Sequence, residues 1–222
     1  MINFSDIKEL FDDRFQLGVL NSEETIRIAN IRLKGYSHAG RTIIFTPKTQ
    51  KYWRQFKSSL VILQFSDIAY DYTIKPTVEK IINAKYTNTS LITYCFKSAA
   101  IEAGLAIQAK NNLVWSTKFG FNCKITALGF RDDIIGYNKQ VLPNFFPNCK
   151  DCIRCISACP GDALKNDTFN RDNCESIIGP QVQSHLIRYD KIYRRTVIPW
   201  EGVAGGIKEH CRVCQEKCPH NL

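Results

Sequence analysis

No run in this 222-residue sequence approaches eighteen consecutive apolar residues, so no membrane-spanning helix is expected. The opening stretch is not expected to be a secretory leader either. The opening "MINFSDIKELFDDRF" carries acidic residues and no long apolar core, so the expected location is cytoplasmic. Neither a Gly-x-Gly-x-x-Gly turn nor a P-loop occurs, which removes the usual phosphate cradles of nicotinamide and nucleotide enzymes. No nucleic-acid-binding motif accompanies the lysines and arginines, which are scattered rather than blocked.

Cysteine, by contrast, is abundant. Ten cysteines without an export signal suit a reducing cytosol, where thiols serve as ligands rather than as disulfides. Four fall in "CKDCIRCISACPGDAL", as Cys149, Cys152, Cys155 and Cys159, with Pro160 behind the last. This Cys-x2-Cys-x2-Cys-x3-Cys-Pro run has the bacterial ferredoxin spacing, in which three thiolates wrap one cluster and the fourth ligates another. Near the end, "HCRVCQEKCPHNL" repeats the close of that motif as Cys211, Cys214, Cys218 and Pro219. Two [4Fe–4S] clusters need eight thiolates, and the two motifs supply seven. Of Cys95, Cys123 and Cys174, only Cys174 lies between the motifs, so it is the natural eighth ligand. One cluster is then expected on Cys149, Cys152, Cys155 and Cys218, the other on Cys159, Cys174, Cys211 and Cys214, leaving Cys95 and Cys123 as ordinary thiols. Paired zinc knuckles fit this spacing poorly.

The formal net charge is +9, and residues 1–148 carry 19 Lys and Arg against 12 Asp and Glu. A [4Fe–4S] core with four thiolates is about −2 overall, so two of them turn the cysteine-rich part anionic. The basic remainder reads as solvated surface, with an acidic redox partner, a phosphorylated cofactor or RNA as the alternatives. Along the chain, apolar spacing over 3–17 predicts a helix, with Ser5 or Asp6 near its start as a cap. "RTIIFTP" (41–47) and the apolar "SSLVILQFS" (58–66) read as strands. "TVEKIINAKY" (77–86) reads as an amphipathic helix after Pro76, and "SLITYCFKSAAIEAGLAI" (90–107) runs into a helix that stops at Gly104. "NLVWSTKFG" and "CKITALGF" read as a hairpin around Gly120, with Trp115 and Phe119 in the core. "NKQVLPNFFPN" reads as a proline-bearing linker. The expected architecture is an α/β or α+β domain over 1–140, followed by a ferredoxin-like double [4Fe–4S] domain over 141–222.

The first cysteine motif, the lone Arg171-x-x-Cys174, and the second motif with Asn221 nearby together resemble the iron–sulfur part of epoxyqueuosine reductases and their reductive dehalogenase relatives. Upstream, "AAIEAGLAIQAKNNLVWSTKFGFNCKITALGF" (99–130) is similar to a family segment with an "AGLG-W-x-GK-x" turn, so the resemblance covers about 58–222. It implies a cobalamin-binding first domain and two clusters fed by an external low-potential donor such as a ferredoxin or flavodoxin. Lys110 and Asn111, which match the end of that turn, are then expected at the cofactor, and Asp71 in "IAYDYTIKP" is the candidate acid. Two departures stand out. The turn has lost its glycine and tryptophan character, and Ser90 stands near the place of the family's proton-donating aspartate. The sequence also stops four residues after Cys218, so the tRNA-gripping C-terminal repeats of some family members are not expected. Three readings follow. The first is a corrinoid-linked iron–sulfur reductase. The second is an electron-transfer module that docks a partner protein and has no chemistry of its own. The third is an epoxyqueuosine reductase of tRNA queuosine biosynthesis, which the departures disfavour, tRNA being the least expected partner.

Overall fold

The computed structural model describes residues 1–30, 51–66, 74–92, 95–165, 168–170, 173, 188–190, 195–197 and 213–221. Its centre is the apolar run 58–66. Strand β3, Ser58–Phe65, buries Leu60, Val61, Ile62 and Leu63 completely, which requires cover on both faces of the sheet. β2 (Phe15–Asn21) and β7 (Cys123–Phe130) flank it, and β4 (Thr89–Leu91) pairs with β7 at the edge. The order is β2-β3-β7-β4, with every pairing antiparallel. The only parallel pairing among named strands of the described residues joins β1 (Ile2–Asn3) to β8 (Ile134–Ile135). The sheet is therefore of α+β rather than doubly wound type.

Alternation along the strands sorts side chains to two cores. On one face α2 (Ser22–Asn30) and α4 (Phe96–Glu102) cover Leu20, Val61, Leu63 and Ala127 with Ile28, Ala99 and Ala100. On the other, α1 (Phe4–Lys8) and α3 (Ile74–Asn83) cover Leu60, Ile62 and Leu128 with Ile7, Val78 and Ile82. Helix α2 starts on a reciprocal cap. The Glu24 N–H donates to Asn21 Oδ1 and the Asn21 N–H to Glu24 Oε2, both at 2.9 Å.

Four expectations need correction. The helix expected over 3–17 ends at Lys8, because Asp12 and Arg14 close a turn (Arg14 N–H to Asp12 Oδ1, 3.0 Å) and Phe15 opens β2. Phe4, Ile7, Leu10, Phe11 and Phe15 do share one core, but a helix, a turn and a strand deliver them. Neither Ser5 nor Asp6 caps the helix; Asn3 holds the cap position without a side-chain bond. The helix expected over 77–86 is Ile74–Asn83, with Pro76 inside its first turn, where its missing N–H has no helical partner to lose. The hairpin expected around Gly120 is not formed. β6 (Val114–Ser116) pairs instead with β5 (Ala106–Gln108), and a tight Ser116–Gly120 turn releases β7 to the large sheet. The strand expected over 41–47 lies outside the described residues.

The segment expected to be a linker is a strap. Lys139 pairs with Glu24 and Glu102, and Phe146 is buried. Arg27 donates to Glu102, and it and then Lys139 hold that carboxyl below its ordinary range. The strap crosses the end of α4 at Gly104, whose φ is +70° and where a Cβ would stand 2.3 Å from the Gln140 carbonyl oxygen. Gly104→Ala should therefore cost about 2 kcal/mol or more, from backbone strain plus overpacking. Gly136, also left-handed at φ +79° but with nothing within 4 Å of a new Cβ, separates the two effects. Its alanine variant should cost only about 1 kcal/mol. Denaturant midpoints of the two variants check this.

Candidate metal centre

The β5–β6 hairpin is the platform on which both cysteine motifs rest. Its turn closes with the Ala109 N–H donating to the Leu113 carbonyl at 2.9 Å, and Asn112 takes the left-handed conformation that makes it tight. The Lys97 ammonium donates to the Asn112 carbonyl and pins the turn to α4. From this turn Lys110 Nζ donates to the carbonyls of Lys150 at 3.0 Å and Cys152 at 3.1 Å, both in the first motif. Asn111, buried, receives the Leu113 N–H on its Oδ1 at 3.1 Å and extends its amide toward the Cys214 carbonyl, 3.5 Å away in the second motif.

The hairpin also holds what flanks the motifs. The Phe146 N–H donates to the Gln108 carbonyl at 2.8 Å, and the Phe146 ring stacks on Trp115 with centroids 4.5 Å apart. Trp115 Nε1 donates to the His220 carbonyl at 2.8 Å, and Asn221 Oδ1 accepts the Phe121 N–H at 3.1 Å. Ile107, Ala109, Phe121, Phe146 and Cys149 form one apolar cluster, with Cys218 packed against it. Trp115, read from sequence as core, thus joins the two parts of the chain, with its polar tip on the second motif.

The thiols follow from this framework. Cys149 ends a short 3₁₀ turn, Pro147–Cys149, and Cys155 lies in α5 (Arg154–Ser157). After the second motif's described Cys214, α6 (Val213–Glu216) ends before Cys218, and α5 and α6 pack against each other. Burial pushes the Cys155 thiol up, and the nearby Cys149 and Cys152 push it further. Burial also pushes up Cys218, which senses the same two neighbours, Cys149 and Cys152. Cys155 and Cys218, one from each motif, thus feel the charges of the same two thiols, and Cys218 packs against the apolar cluster that contains Cys149. Backbone N–H groups oppose the burial: those of Cys155 and Ile156 on Cys155, and those of His220 and Asn221 on Cys218. The Ala163 N–H donates to Cys159 Sγ at 3.3 Å. Amide donors aimed at sulfur favour the thiolate and suit a ligand to iron.

Among the described residues no three His, Cys, Asp or Glu side chains form a site for a single metal ion. A cubane differs from a single ion in that its thiolates bind separate corners, so neighbouring but unconverged sulfurs fit it. The donor set, soft thiols met by N–H groups and backed by an apolar wall, fits an iron–sulfur cluster. Cys174, Cys211 and Asp71 lie outside the described residues. Cys95 and Cys123 pack instead against the core of the large sheet, where Cys95 meets Ser98 Oγ at 3.0 Å and burial pushes Cys123 up to about 11. Ser90 sits within β4, opposite Gly129. Lys110 and Asn111, expected at a corrinoid, turn their polar atoms to the cysteine loops, which leaves that expectation without support from either residue.

No family model matches the chain, and no curated protein matches it. Solved structures do. Epoxyqueuosine reductase from Streptococcus thermophilus superimposes with a TM-score of 0.58 at 20% identity, over 98% of this chain and 64% of that one. An epoxyqueuosine reductase bound to an epoxyqueuosine-modified tRNA-Tyr stem loop gives 0.58 at 18% identity, again over 98% and 64%. The Bacillus subtilis enzyme, with its catalytic aspartate loop swung out of the active site, gives 0.57 at 18%, over 98% and 63%. The chain has the fold of the epoxyqueuosine reductases and spans about 64% of the length of these structures. Among the described residues no helix is long and apolar enough to cross a membrane.

Proposed function

We propose that this chain is an iron–sulfur reductase of the epoxyqueuosine reductase type, supplied with single electrons by an external donor such as a ferredoxin or flavodoxin. The observation that carries the reading is the approach of the two motifs: Cys218, from the second, packs against the apolar cluster that holds Cys149 of the first. Cys149, Cys152, Cys155 and Cys218 would hold one [4Fe–4S] cluster, and Cys159, Cys174, Cys211 and Cys214 the other. Such a cluster, when bound, takes up and releases one electron at a time. The chain's own residues supply the surroundings. Ile107, Phe121 and Phe146 wall in Cys149, and the amides of Ile156 at Cys155 and of His220 and Asn221 at Cys218 stabilise charge on the sulfurs.

The substrate class follows from the fold's relatives, one of which is held with an epoxyqueuosine-modified tRNA stem loop. The 19 basic against 12 acidic residues of 1–148 suit an RNA backbone, so tRNA, the partner least expected from the sequence, is the one this reading takes. Ser90 favours a second reading. It carries a hydroxyl, a poor general acid at neutral pH, where the resemblance places an aspartate. A chain without a proton donor there would transfer electrons to a partner without reducing a nucleoside.

Anaerobic reconstitution tests both readings. The chain is expected to take up about eight irons and about eight sulfides. A reproducible count near four in fully reconstituted protein would sink the two-cluster assignment. Corrinoid absorption bands, beyond those of the clusters, would reinstate the cobalamin-linked form. Incubation with dithionite and an epoxyqueuosine-bearing stem loop should convert it to the queuosine form, read as the loss of one oxygen in the nucleoside mass. Full iron with no conversion selects the electron-transfer module.

A further inference from the structure

We propose that Lys110 is a positioning residue that sets the reduction potential of the first cysteine motif's cluster, an inference that rests on the cluster reading above. Three observations carry it. Lys110 Nζ reaches across 40 and 42 residues of chain to two carbonyls of one loop, those of Lys150 at 3.0 Å and Cys152 at 3.1 Å. These residues bracket Asp151; Lys150 follows Cys149 and Cys152 is itself an assigned ligand, so the bonds fix the path of the loop between the two cysteines. Lys110 is half-buried, its ammonium meets two carbonyl dipoles, and no ion pair among the described residues includes it. Finally, the turn that bears it is itself fixed, by the closing bond from Ala109 to Leu113 and by the Lys97 ammonium on Asn112.

A cationic group held beside a cluster of net negative charge favours the reduced form, because reduction adds one more negative charge. The effect is largest where water is partly excluded, as it is here on the side of Ile107, Phe121 and Phe146. Asn111, the next residue, points to the Cys214 carbonyl of the other motif and carries no charge. Lys110 therefore acts on one cluster and not on both.

The test is an EPR-monitored redox titration of the reconstituted full chain and of Lys110→Gln, Lys110→Met and Lys110→Arg, with iron and sulfide determined for each. In the neutral variants one of the two reduction waves should move to more negative potential, by on the order of tenfold in the one-electron equilibrium, or about 59 mV. The other wave should stay in place, and Lys110→Arg should keep both. If Lys110→Met loses iron, Lys110→Gln, which keeps a donor to the carbonyls without the charge, decides alone. An unmoved potential, an equal shift of both waves, a shift in Lys110→Arg equal to that of the neutral variants, or loss of iron in both neutral variants would overturn the inference, the last by showing a merely structural residue. Wild-type protein that takes up no cluster overturns the functional reading itself, a result distinct from all of these.

Discussion

Cys218→Ala is expected to empty the first cysteine motif and leave the second occupied, although Cys218 belongs to the second motif in sequence. It packs on the apolar cluster that contains Cys149, and its thiol feels the charges of Cys149 and Cys152. In the crossing arrangement of the ferredoxin run, the cysteine before each proline ligates the cluster of the other motif. Iron should therefore fall from about eight toward about four per chain, or to about seven if a three-iron form survives. Cys214→Ala, four residues earlier, should do the opposite and disturb the second cluster. The segment itself should stay in place in Cys218→Ala. It is held by the Trp115 bond to the His220 carbonyl at 2.8 Å and the Phe121 bond to Asn221 at 3.1 Å, and the substitution touches neither. Iron analysis with low-temperature EPR of the two variants decides the matter. If both lose the same cluster, the motifs do not cross, and the ligand sets must be redrawn.

The parts of the molecule that could be read from sequence are those governed by local rules. Local turns are one: Cys149, Cys152, Cys155 and Cys159 lie on a single short stretch that folds as a 3₁₀ turn and a one-turn helix. A strand buried on both faces is another, since Leu60 to Leu63 leave no polar side to expose. The Gly104 stop is a third, with its left-handed φ of +70°. The resemblance rests on the same kind of signal, and as a fold it extends further than the motifs, to 98% of the chain.

What escaped the sequence is pairing at a distance. Apolar spacing over 3–17 reported correctly which side chains face the core and wrongly what backbone carries them, because a strand after a turn can return Phe15 to the same face as Ile7. Strand β6 and strand β7 were each recognisable, but nothing in "NLVWSTKFG" indicates that its partner is Ala106–Gln108 rather than the strand that follows. The contacts that seat the cysteine motifs are more remote still. Trp115 meets His220 across 105 residues, and Phe121 meets Asn221 across 100. Trp115 gave one usable signal. A tryptophan has an N–H to place, and here it is placed on the His220 carbonyl.

The largest effect on the second cluster is expected from Cys174→Ala. Cys174 stands apart from both motifs, with 14 residues between it and Cys159 and 36 before Cys211, so only tertiary structure brings it to a cluster. The argument for it is the count of seven motif cysteines and its place as the one remaining cysteine between them. The geometry of the other two adds weight. Cys95 and Cys123 pack against the core of the large sheet, away from the apolar cluster that holds Cys149. Cys174→Ala should leave the first cluster intact, because Cys149, Cys152, Cys155 and Cys218 all remain. The second should fall to a three-iron form or be lost, since a cubane iron without its thiolate is labile. Cys95→Ala and Cys123→Ala should retain full iron. Iron analysis and EPR of the three single variants give the answer, and full iron in Cys174→Ala with loss in either of the others would assign the eighth thiolate to the large sheet.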